Sequence, residues 1–142
     1  MRSGEILLVE DNADDVEVAL RAFRKHGLAE AVVVARDGDE ALAWLRTHPA
    51  LGGVHGPKVI FLDLKMPKVG GFDVLREVRA NDDMRHVPVV VLSSSDHDRD
   101  VAESYRLGAN SFVRKRTEPA RPGEYLVEAA RYWLTLNRAP RT

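Results

Sequence analysis

Two four-residue apolar runs, Ile6-Leu7-Leu8-Val9 and Val59-Ile60-Phe61-Leu62, pass directly into carboxylate, the first into Glu10-Asp11 and the second into Asp63. A short run that is apolar at every position reads as a strand covered on both faces, which is the habit of parallel sheets. Three more such runs, at residues 31–35, 87–92 and 111–113, follow along the chain. Helical patterns fill the intervals. Residues 14–25 carry Val16, Ala19, Leu20 and Phe23 at a 3.6-residue period, with Gly27 as a stop. Residues 38–47 carry Ala41, Leu42 and Leu45, residues 71–79 carry Phe72, Leu75 and Val78, and residues 98–107 carry Val101, Ala102 and Tyr105. A last helix is expected over 122–137. Strands alternating with helices specify an α/β fold with a parallel sheet, and right-handed crossovers leave few topologies.

Open parallel sheets bind ligands at the carboxyl ends of their strands, where the strand order reverses. Glu10, Asp11 and Asp63 share that edge if strands one and three are neighbours, which favours the order 2-1-3-4-5 in a flavodoxin-like, doubly wound sheet with five helices. Two carboxylates about 5 Å apart repel by roughly 3 kcal/mol at an effective dielectric of about 20. A hard cation such as Mg²⁺ converts that cost into binding. The fourth run ends in Ser93 and the fifth leads to Lys115, so a hydroxyl and an ammonium are expected on the same edge. An acidic cluster, a hydroxyl and a lysine are what a carboxylate needs to accept a phosphoryl group.

Several classes are set aside. The chain has no cysteine, which removes thiolate chemistry and sulfur-bound zinc. No apolar stretch approaches the roughly 20 residues of a membrane span, and the first strand begins too early for a signal peptide, so a cytoplasmic protein is expected. Net charge is −1; residues 114–142 carry seven basic and three acidic side chains, too thin a basic face for a nucleic-acid binder. A flavin or nucleotide site needs a glycine-rich first turn, and Glu10-Asp11-Asn12-Ala13 stands there instead. The five histidines, His26, His48, His55, His86 and His97, are expected at the surface. The long stretch 48–58 reads as slack between a helix and a strand.

Four motifs in order resemble the response-regulator receiver domains of two-component signalling. They are Leu7-Leu8-Val9-Glu10-Asp11-Asn12, then Leu62-Asp63-Leu64-Lys65-Met66-Pro67 with Gly70-Gly71, then Pro88 to Ser93, then Gly108-Ala109-Asn110-Ser111-Phe112 to Lys115. The resemblance implies that Asp63 accepts a phosphoryl group from a sensor histidine kinase. Glu10, Asp11, Asp63 and the backbone carbonyl of Lys65 would hold Mg²⁺. Ser93 would bind the phosphoryl oxygen, Lys115 would pair with it, and Phe112 would be the aromatic switch. Arg116 departs from the family's proline at that position. A phosphatase of the haloacid-dehalogenase type would need an aspartate where Lys65 stands. A pseudo-receiver, binding partners constitutively without phosphorylation, is the alternative.

A narrower resemblance, carried by Asn12-Ala13-Asp14-Asp15-Val16, Ser104-Tyr105-Arg106-Leu107-Gly108-Ala109-Asn110 and Tyr132-Trp133-Leu134-Thr135, is to single-domain regulators paired with bacterial phytochrome kinases. It implies one receiver domain over residues 1–142, no output domain, no enzymatic activity, and a bacteriophytochrome as the kinase. On the last helix Leu126, Ala130, Trp133 and Asn137 mark one stripe. Tyr125, Ala129, Tyr132 and Leu136 mark a second. A helix packed on one side of a sheet uses only one stripe, so the second is expected to be the face of a homodimer.

Overall fold

The computed structural model describes residues 3–48, 56–116 and 118–140. Strands β1 (Ile6–Val9), β2 (Val32–Ala35), β3 (Val59–Asp63), β4 (Val89–Ser93) and β5 (Ser111–Arg114) form one parallel sheet in the order β2-β1-β3-β4-β5. Helices α1 (Ala13–Lys25), α2 (Gly38–Thr47), α3 (Gly71–Ala80), α4 (Asp98–Arg106) and α5 (Glu124–Arg131) connect or follow the strands. The flavodoxin-like architecture expected from the sequence is therefore the observed one. A 3-10 turn at Ala29–Ala31 takes the place of the expected first residue of β2. Residues 49–55 of the stretch before β3, including His55, lie outside the described residues.

Period two sorts each strand between two cores. Leu7, Val9, Ile60, Leu62, Val89 and Val91 join α2 and α3 through Leu42, Leu45, Leu75 and Val78. Ile6, Leu8, Val59, Phe61, Val90 and Leu92 join α1 and α5 through Ala19, Phe23, Leu126 and Val127. Strands β1, β3 and β4 are buried at every position because both faces are covered, which is why their sequences show no alternation.

Two helices depart from the sequence pattern. On α4 the expected core stripe does not face inward: Tyr105 is 50% exposed, Ala102 is exposed, and the buried residue is Ser104. Its hydroxyl donates to Asp100 O at 2.7 Å, a bond inside the helix that satisfies a polar side chain in the interior. The last helix ends its α geometry at Arg131 and continues as a π turn over Tyr132–Leu136, closed by Asn137 N donating to Tyr132 O at 2.8 Å. The wider turn breaks the α-helical stripes beyond Arg131. Tyr125 and Ala129 are half-buried against the α1–α5 core, so they do not belong to a free face. Tyr132 at 47% and Leu136 at 78% exposure remain outside, while Trp133 packs inward as expected.

Two histidines are also less exposed than expected. His26 holds Glu124 through Nε2 at 2.9 Å and receives Arg131 Nη2 at 3.0 Å on Nδ1, tying α1 to α5. His48 stacks on Trp44 with ring centroids 4.2 Å apart. His86 and His97 are exposed.

Candidate functional site

Counting in twos along the strands explains what meets at the carboxyl edge. Ile6 and Leu8 face α1 and α5, so Glu10 continues that face. Val59 and Phe61 do the same on β3, which puts Asp63 there, and Val113 on β5 brings Lys115 after it. Pairing of Val9 with Leu62 and of Asp63 with Leu92 sets these strand ends side by side. Lys115 N–H donates to Ser93 O at 2.7 Å, prolonging the β4–β5 ladder by one bond.

Each of Glu10, Asp11 and Asp63 brings a carboxylate oxygen within 4.8 Å of the other two. Glu10 and Asp63 are buried and Asp11 is exposed. The Lys115 ammonium lies 2.7 Å from Glu10 Oε2, 3.0 Å from Asp15 Oδ2 and 3.3 Å from Asp63 Oδ1. Glu10 Oε1 accepts from Asn12 N at 3.1 Å, and Asn12 Oδ1 caps α1 by accepting from Asp15 N at 3.0 Å. Burial first, and then the charge of Glu10, push the Asp63 carboxyl up to about 7 against the opposing pull of Lys115. Burial disfavours the Lys115 ammonium, but bonds to Glu10 and Asp15 and the charges of Asp63 and Glu10 outweigh it and hold its pKa above the usual lysine value.

Behind Asp63 the chain turns sharply into α3. A Cβ built on Gly71 would lie 2.6 Å from Asp63 O and 2.8 Å from Leu64 Cα, so only glycine allows α3 to start this close to the site. Gly70 N donates to Asp73 Oδ2 at 3.2 Å and closes the first turn.

The sequence-predicted residues are thus only partly gathered. Glu10, Asp11, Asp63 and Lys115 converge. Lys115 reaches Asp63 with Arg116, not proline, as the next residue. Ser93 is buried at the end of β4, and its hydroxyl accepts from Ser95 N at 3.2 Å. Lys65 is exposed, two residues beyond Asp63. Phe112 is half-buried against the α2–α3 core, on the opposite face of the sheet from Asp63. Sequence reasoning missed Asp15 as a partner of Lys115. Its signal was an acidic residue in the first turn of α1, a position that a helix dipole explains equally well.

Residues 6–126 match the response regulator receiver domain. The chain belongs to that family. This receiver is 38% identical over 135 residues to the probable methanogenesis regulatory protein FilR2 of Methanothrix harundinacea, covering 95% of this chain and 86% of that one. It is 36% identical over 110 residues to the response regulator Rcp1 of a Synechocystis species, covering 78% and 75%. Among solved structures it is similar to the phosphorylated cyanobacterial phytochrome response regulator RcpA, with a TM-score of 0.84, 32% identity and 99% of each chain covered. The bacteriophytochrome response regulator AtBRR is 44% identical with a TM-score of 0.69, covering 95% of this receiver and 94% of that chain. The Mn²⁺-bound form of Rcp1 gives a TM-score of 0.80 at 31% identity over 95% and 97%. The receiver's three clustered carboxylates are an all-oxygen donor set of the kind that suits a divalent cation. No helix among the described residues is long and apolar enough to cross a membrane.

Proposed function

We propose that this receiver is a phosphoacceptor signalling protein, not an enzyme, working in the cytoplasm. Its Asp63 takes a phosphoryl group from a sensor histidine kinase, and the similarity to phytochrome regulators favours a bacteriophytochrome. The observation that carries the reading is the buried Asp63 carboxylate, set against Glu10 and Asp11 and 3.3 Å from a lysine ammonium. Lys115 offsets part of this clustered negative charge, and a divalent cation would offset the rest and leave Asp63 able to take a phosphoryl group.

Mg²⁺ held by Glu10, Asp11, Asp63 and the Lys65 carbonyl would supply neutralisation of the carboxylate and phosphoryl oxygens. The chain supplies the rest. An Asp63 oxygen attacks phosphorus in the kinase's phosphohistidine. A carboxylate O–P bond forms as the N–P bond breaks, and its electron pair stays on the imidazole nitrogen. Lys115 already points at Asp63 and donates to a phosphoryl oxygen. Ser93 exchanges its bond from Ser95 N–H for a donated bond to another phosphoryl oxygen. Phe112, which pairs with Val91 two residues before Ser93 on the β4–β5 ladder, then repacks and carries the change to the α4–β5–α5 side. The exposure of Tyr132 and Leu136 supports a homodimer face on that side.

Incubation with acetyl phosphate and Mg²⁺, followed by mass spectrometry, tests the acceptor. The parent should gain one phosphoryl group, and Asp63→Asn should gain none while staying folded. Undiminished labelling of Asp63→Asn overturns the assignment, and equal labelling in EDTA overturns the metal requirement. Light scattering tests the dimer: Tyr132→Glu with Leu136→Glu should give a monomer, and a double variant as dimeric as its parent refutes the face.

A further inference from the structure

We propose that Asp15 is a positioning residue that keeps Lys115 at the site when a divalent cation occupies the carboxylate cluster. This inference rests on the phosphoacceptor reading above. The ammonium has three N–H donors and three carboxylates around it: Glu10, Asp15 and Asp63, at 2.7, 3.0 and 3.3 Å. Two of those three, Glu10 and Asp63, belong to the cluster with Asp11 that would hold the cation. Asp15 does not.

A dication among Glu10, Asp11 and Asp63 repels the ammonium and competes for the same two carboxylates. Lysine is a point charge on a flexible four-carbon stem, so an untethered Lys115 would leave for solvent. Asp15 is the partner that a cation in the cluster leaves in place. Its location is fixed from below, because Asp15 N–H donates to the Asn12 cap at 3.0 Å in the first turn of α1. Held from that side, the ammonium stays within one short swing of the phosphoryl position. The bland role for Asp15, a first-turn acid stabilising the helix dipole, is shared by Asp14, which is exposed in the same turn and serves as the control.

Competitive acetylation of amines, read at Lys115 by peptide mass spectrometry with and without Mg²⁺, tests the tether without depending on activity. In the parent and in Asp14→Ala, Lys115 should be protected in both conditions. In Asp15→Ala it should be protected without Mg²⁺, where Glu10 and Asp63 still hold it, and about tenfold more reactive with Mg²⁺ present. Asp15→Asn, which keeps an acceptor oxygen but no charge, should fall between. Phosphorylation by acetyl phosphate at saturating Mg²⁺ should slow about fivefold to tenfold in Asp15→Ala while Mg²⁺ affinity holds or rises, since the lysine leaves more readily. Unchanged Lys115 reactivity in Asp15→Ala with Mg²⁺ overturns the proposal, and so does an equal effect in Asp14→Ala. A parent that takes no phosphoryl group overturns the phosphoacceptor reading instead, and the labelling arm still judges the tether.

Discussion

Replacing Asp63 by Asn should stabilise the metal-free protein, and by an amount that depends on pH. The folded carboxyl is raised to about 7 from an ordinary value of 3.8. An acid whose folded pKa is raised holds its proton more tightly when folded. Its stabilising contribution is complete below about pH 4 and is lost as pH rises through about 7. Above that, folding carries the cost of a charged, buried Asp63 beside Glu10. About three pKa units correspond to about 4 kcal/mol. Relaxation of Lys115 and water around the charge recovers roughly half of such a penalty, which leaves about 2 kcal/mol. Asn is neutral and nearly isosteric, so it resembles the protonated acid at every pH. For a domain of this size the gain corresponds to roughly 4–8 °C in Tm. Thermal unfolding of both proteins in EDTA, at about pH 4.5 and about pH 8, checks this because the other titrating groups are common to the pair. The Tm difference should be small at the acid end and open in favour of Asn at the alkaline end. Mg²⁺ at the alkaline pH should then raise Tm of the parent and not of the variant, since binding to the native state alone stabilises it. A gap that fails to grow with pH, or an Asn variant less stable than its parent at about pH 8, refutes the electrostatic account of the site.

Gly71→Ala should cost about 2–3 kcal/mol in denaturant unfolding, because the new methyl group meets backbone atoms of Asp63 and Leu64 and not a movable side chain. It should also slow phosphorylation by shifting the acceptor, an effect measurable with acetyl phosphate. Arg79→Ala should destabilise by about 2–4 kcal/mol, since the carbonyls of Gly108, Arg85 and Val87 and the Asn110 side chain all lose a charged donor. Chemical denaturation checks it, and a loss under about 1 kcal/mol would mean that water replaces the guanidinium.

How much of this was legible depended on whether a side chain obeys its own element's period. Strands β1, β3 and β4 are covered on both sides, so their unbroken apolar runs announced them, and the carboxylates that end β1 and β3 pointed to those two as neighbours and so to the sheet order. Glu10 and Asp63 were legible because each directly follows such a run, and Lys115 because it closes the weaker β5 run one residue beyond Arg114. Helix α4 was misread because Val101, Ala102 and Tyr105 form a plausible stripe, whereas the helix sits on the sheet through Ser104, a residue that periodicity treats as polar. The second stripe of α5 is split, with Tyr125 and Ala129 half-buried and Tyr132 and Leu136 exposed. It assumed α geometry to residue 137, and the π turn from Tyr132 resets the angles. The Lys115–Asp15 and His26–Glu124 pairs join residues about a hundred positions apart, and no local pattern encodes such contacts.

Arg79 reaches from the end of α3 to Gly108 O at 2.9 Å, Val87 O at 2.8 Å and Asn110 Oδ1 at 2.8 Å, while Asn110 Oδ1 also accepts from Val89 N. These groups sit at the amino ends of β4 and β5, the edge of the sheet farthest from Asp63. Helix α4 is therefore riveted at its last turn, where it runs into Gly108. Its first residues follow the Ser94–His97 segment without a side-chain cap, and its body is seated by one buried serine. An element pinned at one end and loose at the other behaves as a lever. A displacement at Ser93, passed to the uncapped end, would become a rotation about Gly108, with the widest sweep at Asp98 and Arg99 and little at Tyr105 beside the pivot. The outer surface of α4 would then read out the state of the site by tilt, with the far edge of the sheet as its fixed frame.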